Sequence, residues 1–307
     1  MKIRKKTGIA LGGGAARGFA HLGFLEVLEK NNLKPDFVAG TSMGAIIGAA
    51  YASGKYDNIK LIEYKIIEII HSDEFEKLGF NILEEHEKKK NITFLDKLKS
   101  AYIKFNFYRK MFNNINIIDN NLVKKIILKL IPDIDIKETK IPFAAVALDI
   151  KKGKEIILRE GSLIKAVLAS SAIPGILKPV KHNKQLLIDG GWVNKVPCSV
   201  VRKMGADYVI AVDVSVDLPK KGIKYKNGLE LLIGADEYTS YFLTQLQLLC
   251  ADMVIHPEFK NEDWYDFSNI EKFIKKGYQE TNKNIRKLKS YFYHNIKFSF
   301  KNLFKLK

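Results

Sequence analysis

Between a short apolar run, Phe37-Val38-Ala39, and a helix of small residues from Met43 to Ala52, the chain reads Gly40-Thr41-Ser42-Met43-Gly44. Few stretches constrain a fold so tightly. A strand that turns at once into a helix strains the backbone at the turning residue and leaves no room for side chains two positions either side, and glycine fits at both. The serine then projects its hydroxyl at a helix N-terminus, where free N–H groups and the helix dipole favour developing negative charge. The spacing predicts a nucleophile elbow with Ser42 at its tip. The uncharged stretch Phe37 to Gly54 also carries Gly40, Gly44 and Gly48 at the spacing of packed membrane helices. It is barely long enough to span a bilayer and is rich in Gly, Ala, Ser and Thr, which argues against insertion.

Strand and helix signals alternate along most of the chain. Thr7 to Leu11 reads as a buried strand, followed by a helix to about Asn31 in which Phe19, Leu22, Leu25 and Leu28 recur at helical spacing. Ile141 to Ile150, Gln185 to Ile188, Tyr208 to Val214 and Met253 to Ile255 read as strands. Leu61 to Ile70, Ser162 to Ala172, Pro197 to Met204, Leu229 to Cys250 and Phe267 to about Lys289 read as helices. The expected fold is α/β: three layers, α/β/α, with a mostly parallel central sheet whose active sites form at the carboxyl ends of strands. At 307 residues with no Ser/Pro-rich linker or repeat, one domain over 1–307 is expected. Within it, 55–135 changes to helical stretches of lysine, isoleucine and aromatics, Phe94 to Phe112 among them, and reads as an inserted helical cap.

Between the first strand and its helix runs Gly12-Gly13-Gly14-Ala15-Ala16-Arg17-Gly18. Such a loop exposes backbone N–H groups to an anion. A dinucleotide fingerprint would need a third glycine where Arg17 stands, and a phosphate-binding P-loop would need lysine where Phe19 stands. An oxyanion hole made of the Gly12, Gly13 and Gly14 amides, beside a serine nucleophile, accounts for the loop better. Arg17 is placed to orient those amides or to bind a substrate phosphate.

A serine hydroxyl needs a base. Of the six histidines, His21 lies in the first helix, and His71, His86 and His294 lie in basic stretches. His182 sits in a polar turn. His256, at the end of the strand Met253 to Ile255, fits the Ser, Asp, His chain order of α/β-hydrolases. Asp189 is the stronger candidate, because it directly follows an apolar strand and precedes two glycines that allow close approach. Burial without a cation partner raises a carboxyl pKa, which makes a Ser-Asp dyad workable near neutrality. Asp213 is a second strand-end carboxylate, read as structural.

The net charge of +17 points to an anionic partner, and no nucleic-acid signature accompanies it. Two cysteines, Cys198 and Cys250, are too few for a disulfide framework or zinc site, so a reducing compartment is expected. The basic start, Met1 to Lys6, is not followed by the long apolar run of a signal peptide. The tail 286–307 holds seven Lys/Arg and no acid, with aromatics interleaved, and reads as an interfacial anchor for anionic lipid or as a segment folded back on the core. The expected location is cytoplasmic, peripheral on the inner face of the membrane.

Four blocks, Leu11-Gly12-Gly13-Gly14-Ala15-Ala16-Arg17-Gly18, Gly40-Thr41-Ser42-Met43-Gly44, Ala169-Ser170-Ser171-Ala172-Ile173-Pro174 and Asp189-Gly190-Gly191, resemble in content and order those of the patatin-like phospholipases. The bacterial branch related to neuropathy target esterase is the most similar. The resemblance implies a hydrolase of phospholipid, lysophospholipid or other lipid acyl esters that needs no histidine, metal or cofactor. Ser42 matches the nucleophile, Asp189 its partner, and the glycines with Arg17 the oxyanion block. Ala15 departs from the pattern, standing where some relatives have a fourth glycine.

Overall fold

The computed structural model of the chain describes residues 5–79, 116–218, 225, 227–259, 262 and 264–293. The expected helix over Phe94 to Phe112, His86, His294 and the tail beyond 293 lie outside them. Five parallel strands form the centre: β1 (Thr7–Leu11), β2 (Phe37–Thr41), β3 (Phe143–Asp149), β7 (Tyr208–Val212) and β8 (Met253–Ile255), in the order β3-β2-β1-β7-β8. Their residues are apolar on both faces, as a sheet covered twice requires. Ile9, Leu11, Val38, Ala145 and Ile210 meet helices on one side, and Ala10, Ala39, Ala144, Val146 and Ala211 meet the other side.

The first face is covered by α1 (Ala20–Lys30), α2 (Met43–Ser53), α3 (Ile59–Ile70), α4 (Asp73–Glu76), α5 (Asn120–Leu130) and α6 (Leu163–Ser170). The second is covered by α7 (Cys198–Lys203), with the end of α8 (Gly228–Leu248) beside it. The three layers match the sequence reading.

Three strands run against the parallel set. β4 (Lys154–Leu158) and β6 (Gln185–Asp189) both pair antiparallel with β3, and β5 (Val180–His182) pairs antiparallel with β6 through the Asn183-Lys184 turn. Because β4 occupies one edge of β3 over Ala145 to Asp149, β2 and β6 must share the other. On that edge β2 ends opposite Val146 and β6, arriving from the opposite direction, ends opposite Ala147. Two strands thus meet end to end, and the residues at their tips are Ser42 and Asp189.

The expected helix from Phe267 to Lys289 is a 3-10 turn (Phe267–Asn269) followed by α9 (Ile270–Lys283) and α10 (Ile285–Phe292). Asn284 makes the break: its side-chain amide donates to the Glu280 carbonyl at 2.9 Å, while its backbone N–H turns to Thr281. α10 folds back on the core, since Leu288 is fully buried and Tyr291 donates its hydroxyl to the Asp252 carbonyl. The described part of the tail, 286–293, is therefore a packed segment and not a free anchor. No helix among the described residues is long and apolar enough to cross a membrane.

Candidate active site

Ser42 adopts φ 55°, ψ −123°, a conformation that costs an L-residue about 1–3 kcal/mol and persists only where its surroundings impose it. Here they do. Thr41 donates its hydroxyl to the Asn194 carbonyl at 2.8 Å, and the Ser42 amide donates to Ser170 Oγ at 3.0 Å. Ser170 in turn donates to the Val146 carbonyl at 2.6 Å. The flanking glycines are forced by space: a Cβ on Gly40 would lie 2.3 Å from the Gly44 carbonyl oxygen, and one on Gly44 would lie 2.1 Å from that of Leu11. Both obstacles are backbone. Gly44→Ala is expected to cost about 3 kcal/mol or more, seen as a lower urea midpoint, and an unchanged midpoint would mean that α2 and β1 can separate freely.

Asp189 is buried at the tip of β6, accepts a hydrogen bond from the Gly191 amide at 2.7 Å, and has the Ser42 hydroxyl near enough to pull its pKa down. Burial raises its pKa from 3.8 to about 6, against the opposing pull of those two donors and the Lys195 charge. Its own amide is held at 2.9 Å by the Ala172 carbonyl. The segment Ser170-Ser171-Ala172 therefore secures both partners, Ser42 through one residue and Asp189 through another. The sequence marks this block only by resemblance, with no role attached; its short polar side chains beside a helix end were the available signal.

The glycine loop lies against the elbow, with the Gly13 Cα facing Ser42 Cβ. Its amides are not equivalent. Gly12 donates to the Val212 carbonyl and Gly13 to the Lys195 carbonyl, both at 3.0 Å, so two of the three expected oxyanion donors instead hold the loop in place. The Gly14 and Ala15 amides make no hydrogen bond to a described residue. Ala15 takes φ 47°, a left-handed conformation that favours glycine, which explains why a fourth glycine suits this position. Arg17 lies in the 3-10 turn Ala15–Phe19; the burial of Lys195, and after it the Arg17 charge, hold the Lys195 pKa down.

Neither histidine near the loop reaches Ser42 as a base. His21 is buried and its Nε2–H donates to the Gly12 carbonyl at 2.8 Å; burial lowers its pKa to about 4, so it stays neutral and braces the loop. His256 follows β8, three strands from β2 and about 15 Å across the sheet. Its Nδ1 lies 3.3 Å from the buried Asp213 carboxylate, whose hydrogen bond raises the imidazole pKa to about 9. An imidazolium has no lone pair with which to take a proton.

A cavity of about 150 Å³ opens from Ser42. Ile66, Ile69, Phe75, Ile127 and Phe267 are among its walls, and none of the described residues lining it is charged. Ser171 presents there a hydroxyl with no hydrogen-bond partner among the described residues. A strained serine beside a buried carboxylate, opening on so apolar a space, suits esters with long hydrocarbon tails. The model of the patatin-like phospholipases matches residues 9–202, and the chain belongs to that family.

Among known proteins it is 32% identical over 210 residues to the neuropathy target esterase of Drosophila melanogaster, an alignment covering 67% of this chain and 13% of that protein. It is 28% identical over 210 residues to an uncharacterized NTE family protein of Mycobacterium tuberculosis, covering 68% of this chain and 49% of the relative. The chain thus spans at most about half the length of these curated relatives. Among solved structures, VipD from Legionella pneumophila superposes with a TM-score of 0.49 and 16% identity, covering 93% of this chain and 67% of its own.

Proposed function

We propose that this chain hydrolyses acyl esters of phospholipids or lysophospholipids through a dyad of Ser42 and Asp189. The observation that carries this is the placement of the strained Ser42 beside the buried Asp189 carboxylate, whose pKa stands at about 6. Asp189 takes the hydroxyl proton as Ser42 attacks the ester carbonyl, and the Gly14 and Ala15 amides stabilise the oxyanion. Collapse passes the proton from Asp189 to the departing alcohol and leaves the acyl group on Ser42. Asp189 then deprotonates a water that attacks the acyl-enzyme, and Ser42 departs with the proton. The acyl chain lies in the apolar cavity. Arg17 keeps a positive charge beside the site, which suits a phosphate-bearing headgroup.

The net charge of +17 also fits work at an anionic membrane surface. A fluorophosphonate probe is expected to label the wild type and His256→Ala alike, because His256 is committed to Asp213. Since Asp189 must be ionised to act, kcat/KM for a soluble ester should rise with pH through a midpoint near 6 and level above it. Absence of labelling, or a flat profile from pH 5 to pH 8, would remove the dyad reading.

A further inference from the structure

α8 is 21 residues long, and among its described side chains only Gly234 and Thr244 are buried. Leu231, Ala235, Tyr238, Phe242, Leu246 and Leu249 recur along it and its C-cap at steps of three and four, which places them on one face. That face is the wrong way round for a soluble helix: Phe242 is 60% exposed, Leu246 64% and Leu249 79%, with Leu232 beside them at 67%. Glu230, Asp236 and Glu237 lie off the stripe. Tyr225 packs against Gly234 and leaves the stripe uncovered.

The helix is also fastened to the catalytic loops. Gln247 Oε1 accepts from the Lys195 and Val196 amides at 2.9 and 3.2 Å, and Nε2 donates to the Val193 carbonyl at 3.0 Å. Lys195 in turn accepts the Gly13 amide, and the same loop begins with exposed Trp192, three residues after Asp189. One glutamine therefore joins α8 to both sides of the dyad.

We propose that the exposed stripe of α8, with Trp192, docks into an anionic lipid surface, and that Gln247 transmits this seating to the Asp189 and glycine loops. A lipid surface fits better than a second copy of the chain. Two copies at +17 repel each other, whereas the same net charge draws the chain to anionic headgroups. An aromatic and leucine stripe without charge suits the boundary between headgroups and acyl chains. The inference rests on the lipid-hydrolase reading for its purpose, though not for its test.

The test compares the parent chain with Phe242→Asp/Leu246→Asp and with Gln247→Ala. Readouts are sedimentation with phosphatidylcholine vesicles with or without phosphatidylglycerol, hydrolysis of vesicle lipid and of a soluble short-chain ester, and mass by light scattering. The double variant, altered only at exposed positions, should bind phosphatidylglycerol vesicles at least about tenfold more weakly and lose vesicle-lipid hydrolysis, with soluble-ester turnover unchanged. Gln247→Ala should keep vesicle binding but lose any stimulation of soluble-ester turnover by empty vesicles. Unchanged vesicle binding by the double variant overturns the proposal, as does a fall from dimer to monomer, which would make the stripe a self-association face. A parent that cleaves neither substrate, while its vesicle binding still depends on the stripe, would refute the hydrolase reading and leave the docking surface standing.

Discussion

Ser42→Ala should lower ester turnover by about 10⁵-fold and abolish fluorophosphonate labelling while the chain keeps its fold. The hydroxyl is the proposed reacting group, and Ser170 cannot replace it, its Oγ being spent between the Ser42 amide and the Val146 carbonyl. The structural loss is small, since the side chain gives up only its polar interaction with Asp189, worth about 1 kcal/mol. Ser42→Gly makes a useful companion. It is equally inactive, yet glycine takes φ 55°, ψ −123° without the Cβ penalty, so it should melt above the alanine variant. Turnover comparable to the wild type in Ser42→Ala would place the nucleophile elsewhere.

Asp189→Asn should lose about 10³- to 10⁴-fold in kcat for a different reason. The amide keeps the shape and can still accept the Gly191 N–H through its oxygen, but it then turns an NH₂ towards Ser42 and has nothing with which to take a proton. The same change should stabilise the fold at high pH. Asp189 titrates at about 6 when folded and near 3.8 when not, so its contribution to stability is fully present below about pH 4 and lost as pH rises through 6. Above that the wild type carries a buried charge at a cost of about 3 kcal/mol, which the asparagine variant is spared. The variant should therefore gain on the wild type in urea midpoint as pH is raised from 4 to 8. Equal midpoints across that range would show that the carboxylate is better solvated than its burial implies.

The elements nearest the chemistry were the most legible in the sequence. Thr7 to Leu11 was read to the residue, and the elbow followed from Gly40 and Gly44, because backbone crowding leaves those positions a single side-chain choice. The direction of β6 was not legible. Gln185 to Ile188 reads as a strand whichever neighbour it pairs with, since an apolar run records burial and not the sense of the strand beside it. β4 was missed altogether: Lys154 to Leu158 begins with two charges and continues from a strand already counted. In the glycine loop the residue types were read correctly but the duties of their amides were not, for which N–H faces the site depends on the carbonyls of Val212 and Lys195, far away in the chain. Gln247 was silent for the same reason, as a polar residue near a helix end carries no sign of the loop it holds.

The meeting of β2 and β6 on one edge of β3 fixes when the proposed dyad can first form. Ser42 and Asp189 are far apart along the chain, but Thr41, just before the serine, and Asp189 itself pair with neighbouring positions, Val146 and Ala147, of a third strand. Neither has a partner until all three strands have assembled. A chain still emerging from the ribosome, or one caught half-folded, holds the proposed nucleophile without its proposed base, so ester cleavage by the dyad waits until the sheet is complete.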